Sequence, residues 1–83
     1  SDIIATYLIE LWNKTKICEI CNKKMENHTQ YPFGKHLDHK IPLKSPFLGS
    51  HTKDNIRYIH AICNLNRDYS ELNPKNFPKN RST

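Results

Sequence analysis

Two donor pairs with the same gap, Cys18-Glu-Ile-Cys21 and His60-Ala-Ile-Cys63, constrain this chain more than any hydrophobic pattern in it. Two cysteines two residues apart, closed by a polar turn, are the usual half of a zinc knuckle, in which backbone N–H groups point at the sulfurs. Together the pairs offer three thiolates and one imidazole, a recognised tetrahedral zinc set. The chain has 83 residues, 36% of them hydrophobic. A chain that short buries only about 60% of its unfolded surface, and such domains often recruit a disulfide or a metal. Three cysteines cannot all pair with one another, so a metal site in a reducing compartment is the expectation. The same spacing serves redox sites, but no βαβ pattern surrounds it here. His60 is the expected fourth ligand, with His36 or water as the alternatives. With every position filled by protein, the site is structural rather than catalytic.

Along the chain, residues 1–15 read as a helix that Ser1 or Asp2 can cap, with Ile4, Leu8, Leu11 and Trp12 at helical spacing. Residues 35–41 read as a strand, with Leu37 and His39 on one face and His36, Asp38 and Lys40 on the other. Residues 43–54 carry Ser45, Pro46, Gly49 and Ser50 without periodicity and read as a long loop, which in a small domain is usually functional. A short strand is expected over residues 56–59 and a helix over residues 60–69. Residues 70–83, rich in Asn, Pro and Lys, read as an extended tail packed by Leu72 and Phe77. The expected organisation is a helix over 1–16, a core over 17–69 and a tail over 70–83.

The stretch from Leu37 to Arg67 carries the chemistry. Asp38 and Asn64 offer oxygen ligands to a hard divalent cation, and His39 can take a proton from water near neutral pH. Asp38-His39 on a first strand, Asn55 in the loop and Asn64 on the helix after a second strand resemble the HNH nucleases, in the variant that ends in Asn. The resemblance runs over residues 17–68 and includes the linked donor pairs, with a histidine where many members carry a third cysteine. It implies an α+β fold, the small ββα-metal or His-Me finger domain, here with an N-terminal helix and a structural zinc site. It implies a DNA endonuclease with His39 as general base, Asn55 bracing the loop, and one Mg2+ or Mn2+ on Asp38 and Asn64. The zinc would sit on Cys18, Cys21, His60 and Cys63. The second ring nitrogen of His39 needs a partner, and a loop carbonyl is the expected one.

A formal charge of +5 and a pI near 9.2 favour a polyanionic partner. Arg67, Lys40, Arg57 and Lys53 are the candidate contacts to DNA. Arg67 is expected one turn after Asn64 on the same helix face. A non-catalytic zinc-knuckle module that binds nucleic acid would use the same charge and zinc ligands, but has no need of Asp38, His39 and Asn64. No apolar run approaches the length of a membrane span and no signal peptide is evident, so no membrane partner is expected. An intracellular, cytoplasmic protein is expected. One active site makes one nick, so a double-strand cut needs a dimer or two visits.

Overall fold

The donor pairs are held by a minimal set of elements. In a computed structural model, which describes residues 2–69 and 72, these are α1 (Asp2–Lys14), β1 (Lys35–His39), a 3₁₀ turn (Lys53–Asn55), β2 (Ile56–His60) and α2 (Ala61–Leu65). The cap expected at Ser1 and the tail over 70–83, Leu72 excepted, lie outside the described residues. No helix among the described residues is long and apolar enough to cross a membrane.

In α1 the apolar stripe is only partly covered. Trp12 is buried, Ile4, Leu8 and Leu11 are half-buried, and Ile3 and Ile9 face solvent. Trp12 meets Tyr58 edge-on at 5.7 Å between ring centroids, and the Lys35 ammonium lies 4.3 Å over its ring. The knuckle that follows is closed by the Cys18 N–H on the Lys23 carbonyl and the Asn22 N–H on the Cys18 carbonyl. Asn22 turns the chain at φ 62°, a left-handed conformation that asparagine tolerates.

β1 and β2 form an antiparallel pair running from Lys35↔His60 to His39↔Ile56. The first strand stops at His39 rather than residue 41, and the second runs one residue further than expected, to His60. The register sets His36 against Ile59 and Asp38 against Arg57. Strand alternation puts these on one face, which α2 covers, while Lys35 and Tyr58 meet Trp12 on the other. The first N–H groups of α2 have no partner inside the helix. Ala61 donates instead to the Gly34 carbonyl and Ile62 to the Pro32 carbonyl.

The helix expected over residues 60–69 ends at Leu65, with Asn66 as its cap. Leu65 is 73% exposed, so a further turn would gain little burial, and Arg67 leaves the helical path for a buried carboxylate. The hydrophobic core is correspondingly small: Trp12, Cys18, Met25 and Ile59 form one cluster, with Ile56 and Ala61 also buried.

Between the strands, residues 40–55 fold back on themselves. The Lys40 N–H donates to the Asn55 carbonyl and the Gly49 N–H to the Pro42 carbonyl, both at 2.8 Å. Gly49 packs so closely that a Cβ there would collide with the Ile41 carbonyl and the Asn55 amide. Gly49→Ala must therefore push backbone aside, a cost of roughly 1–3 kcal/mol. In a domain of this size that lowers the melting temperature by roughly 4–8 °C per kcal/mol. Thermal unfolding followed by circular dichroism checks this, and an unchanged midpoint would contradict the close approach.

Candidate metal centre and active site

The donor atoms of Cys18, Cys21, His60 and Cys63 all lie within 4.8 Å of one another. The knuckle supplies two sulfurs and the β2–α2 junction the third, together with the imidazole. His60 Nδ1 faces Cys21 Sγ at 3.1 Å, while Nε2 donates to the Lys24 carbonyl at 2.9 Å. A carbonyl can only accept, so this bond fixes the tautomer and turns the Nδ1 lone pair toward the sulfurs, as outer partners of metal-bound histidines do. The Phe33 ring stands edge-on to His60 at 6.0 Å.

The sulfurs are electrostatically coupled. Burial alone would raise the Cys18 thiol, but backbone donors at His60, Cys21 and Ile20 and the Cys63 thiol bring it down to about 6. Burial, with the hydrogen bonds and negative charge of Cys18 and Cys21, pushes Cys63 up to about 12. Three thiolates this close repel one another unless a cation sits among them. The set can hold a metal ion, and three cysteines with one histidine at this spacing fit structural zinc. His36, the alternative fourth ligand, is elsewhere: its Nε2 donates to the Thr29 carbonyl at 2.9 Å and its Nδ1 lies 3.5 Å from the Asn64 amide nitrogen.

A second cluster forms where the sheet ends. Asp38, His39 and Asn64 line one open cleft of about 340 Å³, walled by Leu37, Pro42, Leu43 and Tyr69. Asp38 is only 4% exposed. Its Oδ2 accepts from Arg57 Nε at 2.9 Å and Arg67 Nη1 at 2.8 Å, and its Oδ1 accepts from Arg67 Nη1 at 2.9 Å. A carboxylate has about four acceptor positions, and these three bonds leave one of them, on Oδ1, unfilled. The Asn64 amide nitrogen is turned toward His36, and no hydrogen bond to its side-chain oxygen is formed among the described residues. Two oxygen donors on one cleft fit a hard divalent ion, which needs few protein ligands.

The structure corrects the reading of Arg67. Its side chain is 3% exposed, and it also donates to the His39 carbonyl at 2.8 Å and to the Lys40 carbonyl. Its guanidinium is committed to the fold, not turned out to a phosphate. Arg57 likewise serves Asp38, with Glu19 at 3.7 Å on its other side. Lys53 is exposed and extends over the Tyr7 ring of α1 at 5.5 Å, and Lys40 is half-buried.

Asn55, 7% exposed, accepts the Ile41 N–H at 2.9 Å and donates to the carbonyls of Ile41 and Ser50 at 2.9 and 2.7 Å. His39 finds its partner in a side chain rather than in the expected carbonyl: Nε2 lies 2.9 Å from His51 Nδ1. Burial, then the charge of His51, lower the His39 pKa from 6.5, with Asp38 opposing. Sequence reading missed the His39–His51 pair and the Asp38–Arg57 pair. The second is a register partnership that alternation would reveal once the strand pairing is known, while His51 carries no signal beyond its residue type.

The family model for the HNH endonuclease domain matches residues 18–69, from the first knuckle cysteine to the end of the Arg67 segment. The chain belongs to the HNH endonuclease family. No curated protein and no solved structure was found to match it.

Metal binding at the Cys–His set should be part of the folding free energy. Purified chain should carry close to one zinc, and a strong chelator should unfold it. Cys63→Ser should lose both the metal and the cooperative transition. Metal analysis of folded protein giving less than half an equivalent would contradict the assignment.

Proposed function

We propose that this chain is a metal-dependent DNA endonuclease that hydrolyses phosphodiester bonds, with His39 as general base and Asp38 and Asn64 as ligands to one Mg2+ or Mn2+. The observation that carries this reading is the single cleft lined by a carboxylate, an imidazole and an amide, in a chain of the HNH family. Zinc on Cys18, Cys21, His60 and Cys63 is structural in this reading, since its ligands leave no position for water.

His39 accepts the proton of the attacking water. Its lowered pKa keeps the imidazole neutral and able to do so close to neutral pH. Asp38 and Asn64 present oxygen atoms beside the phosphate, and the arginines hold the Asp38 carboxylate still. Asn55 is an orienting residue, because it ties Ile41 and Ser50 together behind the cleft. When bound, Mg2+ supplies charge neutralisation at the phosphate and the leaving 3′ oxygen. The net charge of +5 favours a nucleic-acid partner, with Lys40 and Lys53 as backbone contacts. A cytoplasmic location belongs to the same proposal, as does a dimer or a second visit for a double-strand cut.

A second reading, a zinc module that binds nucleic acid without cutting it, draws on the two arginines that occupy most of Asp38. Plasmid nicking in Mg2+ compared with EDTA separates the two.

His39→Ala should lower single-turnover cleavage by roughly 10²–10⁴, the usual worth of a general base, while zinc content, folding and DNA binding stay close to wild type. A wild-type rate in that variant would overturn the assignment. Asn64→His should keep more activity than Asn64→Ala, because imidazole can still donate a ligand. The pKa direction carries a sign: a His39 whose protonated form is disfavoured remains basic to lower pH. The acid limb of the rate profile should therefore fall below pH 6.5. A limb centred above that value would contradict the proposal that His39 is the base.

A further inference from the structure

The pairing of His39 with His51 joins the end of a strand to an exposed loop, and the side chains that hold the loop make it a fixed contact. His51 lies between two anchored residues. The Ser50 carbonyl accepts from the buried Asn55 amide at 2.7 Å, and the Thr52 carbonyl accepts the Asn55 N–H at 2.9 Å. The Thr52 hydroxyl donates to Asp54 at 2.5 Å and lies 3.3 Å from the Ser50 hydroxyl. The chain on either side of His51 is thus tied to one buried amide residue. The two imidazoles meet with Nε2 of His39 2.9 Å from Nδ1 of His51, their rings tilted by 46°.

A hydrogen bond between two neutral imidazoles runs in one direction or the other. If His51 donates, both rings carry their proton on Nδ1, the tautomer that histidine side chains favour less, and His39 has no free lone pair on that nitrogen. If His39 donates, both rings adopt the favoured Nε2–H form, and His39 keeps a basic Nδ1.

We propose that His51 is a positioning residue for His39: its Nδ1 accepts the His39 Nε2–H, locking ring orientation and tautomer so that Nδ1 of His39 is the proton acceptor. The catalytic use of that acceptor rests on the nuclease reading above, whereas the tautomer does not. A general base is ordinarily oriented by a group that is hard to remove. Here it is oriented by one exposed side chain, which can be changed without touching the core.

The test compares the 83-residue wild type, His51→Leu and His51→Asn, each zinc-loaded. Asparagine puts an amide oxygen close to where Nδ1 stands and can accept the same hydrogen, while leucine cannot. Long-range ¹H–¹⁵N correlation spectra without Mg2+, above the titration range, read the His39 tautomer directly. Single-turnover cleavage of DNA and DNA affinity are measured in parallel. The expectation is a single Nε2–H tautomer in wild type and His51→Asn and a mixture in His51→Leu. Cleavage should fall roughly 10–100-fold in His51→Leu, the order of loss from a misplaced reacting group, with most of it recovered in His51→Asn and affinity unchanged. An Nδ1–H form of His39 in wild type, or a leucine variant with wild-type tautomer and rate, overturns the proposal. A leucine variant that loses rate equally with the asparagine variant also overturns it, since the hydrogen bond would then not be the cause. If wild type carries the expected tautomer but cuts no DNA, the nuclease reading fails and only the catalytic use of the pair fails with it.

Discussion

His60 is where the structure is joined. It ends β2, stands at the N-cap position of α2 and contributes the imidazole of the Cys–His set, and its Nε2–H ties it to the Lys24 carbonyl behind the knuckle. Every constraint at that residue is therefore transmitted along the helix. Cys63 lies one turn on, and Asn64 is its neighbour, so pinning the Cys63 sulfur also sets where the Asn64 amide emerges. The metal set sits far from the cleft in sequence terms, with Cys18 twenty residues before Asp38, yet it aims one of the cleft's donors. Together with the Ala61 and Ile62 N–H bonds to the Gly34 and Pro32 carbonyls, it holds in register a helix of five residues, which in isolation would be marginal in water.

Polar networks take over much of the work that a larger domain leaves to hydrophobic burial. Cys18 and Ile59 are the largest fully buried side chains, and long aliphatic residues of α1 lie open to solvent. The space under α2 is instead filled by Asp38 and two guanidinium groups. Burying charges costs several kcal/mol per ion unless hydrogen bonds satisfy them, and here both carboxylate oxygens are bonded. Arg67 also takes the carbonyls of His39 and Lys40, the points where β1 stops. Arg57 reaches from Asp38 toward Glu19 of the knuckle, so the two polar clusters touch through one side chain.

The sequence was most informative where chemistry demands particular residue types. The donor pairs, the Asp-His step and the strand–loop–strand–helix order could be read directly, because thiolates, imidazoles and turn formers leave few alternatives. What it hid were relations set by tertiary contact. The helix was expected to run on to Tyr69, because nothing local marks Leu65 as its end; the pull of a buried carboxylate on Arg67 does that. For the same reason a basic residue near a helix end read as a phosphate ligand. His36 and His60 are competing donors in the sequence, and the fold tells them apart by placing the His60 ring among the three sulfurs and turning His36 to the Thr29 carbonyl. His51 has no signal in the sequence beyond its residue type, because its role depends on a loop fold that no periodicity encodes.

The position of the cleft follows from strand geometry. Adjacent strand residues point to opposite faces, so Asp38 and His39 cannot both reach one atom from within a continuous sheet. They can serve a common cleft only where the sheet stops, and His39↔Ile56 is its last pair. Beyond it the chain must leave quickly and without sagging into the opening. The Lys40 N–H on the Asn55 carbonyl and the Asn55 side chain on Ile41 perform that turn, and Gly49 allows the loop to return against it. The face that carries Asp38 is closed by α2 together with Arg57 of β2 and Arg67 beyond the helix end, while on the other face the His39 end of the strand meets the loop. That asymmetry puts the carboxylate on the rigid side of the cleft and the imidazole on the side where a loop residue, His51, holds it.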